Sequence, residues 1–143
     1  MIKIPQSDKT PEVILDPEKN LFQIKGNCLP ENIREFSNTV LTHFEKYLKG
    51  LPLDTDTKSA RGAFRVHFRL GYFNSAAAKF ISDIMILSEA QIKKGANIKL
   101  YWYFDDDDHD MHEAGKEIAQ LVNAQGHGIG ESGLVTNGEP SPA

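Results

Sequence analysis

Apolar and polar positions alternate along some stretches of this chain and recur every three or four residues along others. Thr10-Pro11-Glu12-Val13-Ile14-Leu15-Asp16 reads as a short strand, and the proline near its start suggests a sheet edge. Asp16-Pro17-Glu18-Lys19-Asn20 is turn-forming, and Leu21 to Gly26 alternates, so it pairs back as a hairpin. Ile33, Phe36, Val40, Phe44, Tyr47 and Leu48 form one helical stripe, started near Pro30 and stopped by Gly50 and Pro52. After a polar linker over 54–59, Ala63 to Leu70 alternates again. Phe64, Val66, Phe68 and Leu70 share one face, while Arg65, His67 and Arg69 share a face predicted to meet solvent or a partner.

Ser75 to Lys94 predicts a second helix. Phe80, Ile81, Ile84, Met85, Leu87 and Ser88 make it apolar over a wide arc, so it should pack deeply, and Gly95 should end it. Asn97 to Phe104 is the next strand. A third helix runs through Met111, Ala114, Ile118, Leu121 and Val122. The order is β-β-α-β-α-β-α, an α/β fold with a small mixed β-sheet and helices packed on it. The strand–helix–strand unit over 63–104 implies parallel strands and a right-handed crossover. Residues 1–125 form one domain. From Asn123 on, Gly, Ser, Pro and Asn dominate, and residues 126–143 are expected to be a flexible tail.

Composition narrows the class. The formal net charge is −4, which argues against nucleic acid or an anionic membrane as the main partner. No apolar run reaches the length of a membrane span, and Met1 to Thr10 carries no signal-peptide core. The single cysteine, Cys28, forms no internal disulfide, and a cytoplasmic location is expected.

Candidate chemistry concentrates at Leu70-Gly71-Tyr72-Phe73-Asn74-Ser75-Ala76-Ala77-Ala78-Lys79, where a strand gives way to a helix. Ser75 has two readings. It is an N-cap, or it is a phosphoacceptor at a helix start, where free N–H groups and the dipole favour an anion. Ala76, Ala77 and Ala78 leave the hydroxyl open to approach.

Asp105-Asp106-Asp107-Asp108-His109-Asp110 offers oxygens to a hard cation, but the spacing fits no calcium loop. The plainer reading is a solvated loop complementing the next helix's N-terminus. His109 and His112, with Glu113, lack a second ligand pair. His67 lies between two arginines, and His43 should pack near the first helix's stripe. Cys28 would need a base to act as a nucleophile. No phosphate-binding loop, dinucleotide glycine pattern or nucleophile elbow occurs; Gly126-His127-Gly128-Ile129-Gly130 follows a helix and carries no such role. The chain is expected not to be an enzyme and to need no cofactor or metal.

Thr10-Pro11-Glu12-Val13, Tyr72 to Lys79 and Trp102-Tyr103-Phe104-Asp105-Asp106-Asp107-Asp108 together resemble the SiaC-type regulatory phosphoproteins, which are STAS-like and similar to anti-sigma-factor antagonists. The resemblance runs from about residue 8 to residue 122. It implies a non-catalytic switch, phosphorylated by a partner kinase and reset by a PPM-type phosphatase. The unphosphorylated form binds and activates a target, in the best-known case a diguanylate cyclase. Carried over, the phosphoacceptor falls on Ser75, preceded by Asn74, with Tyr72, Asn74, Ala76, Ala77 and Lys79 as the partner-binding surface. The acceptor is Ser where the best-known member has Thr, and the sequence from Asn123 lacks the family's closing apolar strand. The alternatives are an anti-sigma-factor antagonist with the same switch chemistry, and a metal-dependent enzyme built on residues 105–112.

Overall fold

The computed structural model describes residues 1–51, 62–105, 107–124 and 134–137. The strands are β1 (Ile2–Ile4), β2 (Glu12–Asp16), β3 (Leu21–Cys28), β4 (Phe64–Phe73), β5 (Ile98–Tyr103) and β6 (Leu134–Asn137). The helices are α1 (Ile33–Lys49), α2 (Ser75–Lys93) and α3 (His109–Ala124). The six strands lie in one sheet in chain order. β1–β2 and β2–β3 are antiparallel, and β3–β4, β4–β5 and β5–β6 are parallel. The sheet is therefore mixed, and the strands flanking α2 are parallel, as expected.

Two strands lie beyond the expected order. Ile2–Ile4 pairs with Val13–Leu15, so β2 is interior and Pro11, which precedes it, marks no edge. Leu134–Asn137, inside the expected tail, pairs with Leu100–Tyr103. The rest of 126–143, and the linker over 54–59, lie outside the described residues.

Alternation explains the two layers. Val13, Leu15, Phe22, Ile24, Phe64, Val66, Phe68, Leu70, Ile98, Leu100 and Trp102 point to one side and are buried. Val40, Phe44 and Leu48 of α1, Phe80, Ile81, Ile84 and Met85 of α2, and Ile118 of α3 join them in one cluster. The helices thus cover one face of the sheet. α2 contacts both other helices, which is why its apolar arc is wide. Ser82 and Ser88 remain buried there because each hydroxyl donates to the carbonyl four residues back, Ala78 O at 2.9 Å and Ile84 O at 2.8 Å. Gly50 caps α1. Gly95, at φ +110°, takes the left-handed turn after α2 that a side chain would resist.

Candidate functional site

The site is assembled where β4 ends. The β3–β4 register shifts there, from Gly26↔Leu70 to Cys28↔Phe73, leaving Asn27 opposite both Gly71 and Tyr72. The Tyr72 amide donates to Asn27 Oδ1 at 2.9 Å. A Cβ on residue 71 would stand 2.2 Å from that same oxygen, so any side chain there would push Asn27 out of this bond. The bulge turns Tyr72 outward, 80% exposed, while the Phe73 ring packs edge-on against Trp102 at 6.2 Å.

Asn74 follows in an extended conformation, φ −96° and ψ −178°. The Ala77 amide donates to its side-chain oxygen and the Ala78 amide to its carbonyl, both at 2.9 Å. Asn74 is therefore the N-cap, and the cap reading of Ser75 is overturned. Ser75 is the first residue of α2, exposed, and its hydroxyl has no hydrogen-bond partner among the described residues. No acidic residue stands in the first turn, so an anion there meets the positive end of the helix dipole unopposed.

Ala76 and Lys79 are exposed, and Lys79 pairs with Asp83 at 3.3 Å. Ala77 is fully buried, so it belongs to the core and not to a docking surface. Beside Tyr72, a groove of about 560 Å³ opens between the end of β4 and the start of α3, lined by Asn27, Phe73, Met111 and Ala114 and rimmed by Asp108 and Asp110.

The acidic run has a structural role. The Met111 amide donates to Asp108 Oδ1 at 3.0 Å, so Asp108 holds the first turn of α3, as the plainer reading expects. The His112 ring stacks on Phe104 at 4.4 Å, and His109 is exposed. No group of three or more potential ligands converges among the described residues, and Asp106 lies outside them.

His67 is not solvated as its alternation suggests. It is buried, Nδ1 lies 2.7 Å from the Tyr103 hydroxyl, and its ring stacks on Tyr101 at 4.9 Å. Burial, then the charges of Arg69 and Arg65, push its pKa down to about 4, so the ring is neutral. Burial pushes the Cys28 thiol up to about 11, which removes it as a nucleophile at neutral pH. His43, expected to pack, is exposed on α1. Asn27 and Gly71 escaped sequence reasoning. Gly26 inside a strand pattern was the available signal of a bulge, but its partner strand is distant in sequence.

Fold and site together define a two-layer α/β protein that presents an unengaged hydroxyl at the start of its central helix. The description "SiaC family regulatory phosphoprotein" matches residues 4–126, and the chain belongs to that family. An uncharacterized protein of Pseudomonas aeruginosa strain UCBPP-PA14 is 26% identical over 121 residues, 83% of this chain and 87% of that protein. Two solved structures from Pseudomonas aeruginosa share the fold. One is diguanylate cyclase SiaD in complex with its activator SiaC, with a TM-score of 0.73 and 23% identity over 84% of this chain and 91% of the matched chain. The other is apo-SiaC, with a TM-score of 0.70 and 20% identity over 95% and 97% of the two chains. No helix among the described residues is long and apolar enough to cross a membrane.

Proposed function

We propose that this chain is a non-catalytic switch whose unphosphorylated form binds and controls a diguanylate cyclase. A partner kinase adds phosphate to Ser75 and a PPM-type phosphatase removes it. The observation that carries this reading is the free Ser75 hydroxyl, exposed at a helix start because Asn74 does the capping. Support for the target comes from the SiaC relative, described as the activator of diguanylate cyclase SiaD and seen in complex with it.

The physics of the switch is local. A phosphate adds about 1.5 to 2 negative charges at neutral pH. Placed against a docked partner it would have to be desolvated, at a cost of several kcal/mol if unpaired. Since about 1.4 kcal/mol changes affinity tenfold, one phosphate suffices to release the partner without refolding the domain. Tyr72, Asn74, Ala76 and Lys79 form the surface on which that partner rests.

The test is a cyclase assay. A diguanylate cyclase encoded in the same cells is mixed with unmodified protein, with Ser75→Ala, and with protein carrying phosphoserine at position 75. Cyclic-di-GMP production should rise with the first two and not with the third. Equal stimulation by all three would contradict the switch.

A further inference from the structure

The face of the sheet turned away from the helices gathers cations that the linear sequence keeps apart. Lys25 pairs in register with Arg69, and Arg65 with Lys99. Like charges directly opposite each other destabilise a sheet. Lys25, Arg65 and Lys99 are exposed, and none of them forms an ion pair with a described residue. The acids on neighbouring β2, Glu12 and Asp16, also make no such pair. Glu12 stands opposite Lys25 in register, and Asp105 and Asp108 line a groove with Lys25 and Arg69, so on a chain of net charge −4 the surplus of positive charge centres on the Arg65–Lys99 pair.

The aromatic groups among these cations are already engaged. His67 stacks on Tyr101 at 4.9 Å and on Tyr103 at 5.5 Å, and the Arg69 guanidinium lies 3.9 Å from the Tyr103 ring centre. A nucleic-acid platform needs ring faces open for bases to stack on. Here the rings cover one another, and charge is what the surface offers.

We infer that this face is a docking surface for an acidic segment of a partner protein, gripped by Lys25, Arg65 and Lys99 around the His67–Tyr101–Tyr103 cluster. The inference does not rest on the phosphorylation switch. Contacts of this kind are screened by salt.

A fluorescein-labelled twelve-residue peptide of alternating Glu and Asp serves as the probe, read by anisotropy at low ionic strength. The wild-type chain should bind it, and Arg65→Glu combined with Lys99→Glu should weaken binding by about tenfold or more. Arg65→Gln with Lys99→Gln provides a milder version should the first variant fold poorly. Lys46→Glu with Lys94→Glu changes net charge equally on the helical layer and should alter binding by no more than about twofold. Absence of binding would overturn the inference, as would an equal loss in both charge-reversed proteins. Tighter binding of a single-stranded oligothymidine of the same length, lost with Arg65→Glu and Lys99→Glu, would overturn it in favour of nucleic acid.

Discussion

The Ala77 amide donates to Asn74 Oδ1 at 2.9 Å, and this single bond decides what Ser75 is free to do. With the cap supplied one residue earlier, the serine hydroxyl is left without a structural task.

The stability consequences separate the two neighbours. Asn74→Ala removes the cap and should cost about 1 kcal/mol. Ser75→Ala, at an exposed first helical position, should change stability by less than about 0.5 kcal/mol. Urea denaturation of both variants checks this order. A larger loss from Ser75→Ala than from Asn74→Ala would return Ser75 to a capping role.

Gly115 on α3 presses on the chain's single tryptophan. A Cβ there would meet Trp102 Nε1 at 2.6 Å, and that nitrogen donates to the Met111 carbonyl at 2.9 Å. Gly115→Ala should therefore destabilise by about 1–3 kcal/mol through overpacking, against the roughly 1 kcal/mol that alanine gains in helix propensity. Denaturation gives the sign, and a shifted tryptophan emission reports the displaced indole.

His67 makes stability depend on pH. Its folded pKa, about 4, lies below the ordinary 6.5, so between those values the unfolded chain binds the extra proton. The stabilisation is complete above pH 6.5 and is lost as pH falls toward 4. Partial solvent access limits the loss to something on the order of 2 kcal/mol. His67→Phe should flatten this part of the pH profile. Urea midpoints compared between wild type and variant across the window isolate the histidine from the titrating carboxylates.

The elements with long, clean periods were legible before the structure. β4, β5 and all three helices follow from alternation or three–four spacing, with Gly50 and Gly95 marking ends. β1 has only three residues, too few for a period, and β6 sits among glycines whose pairing with β5 is not written locally. Asn74 and Ser75 are both good caps, and only the extended backbone at Asn74 chooses between them. The burial of His67 depends on Tyr101 and Tyr103 from the adjacent strand. Likewise, the cationic face exists only because register sets Lys25 beside Arg69 and Arg65 beside Lys99.

The central claim is that Ser75 is a phosphoacceptor. Wild-type and Ser75→Ala protein incubated with lysate of the native cells and a thio-ATP analogue, whose product resists phosphatases, should differ at one position by mass spectrometry. The account predicts label on Ser75 that disappears in the variant. Label confined to another residue, or none while the lysate kinases are demonstrably active, would contradict it.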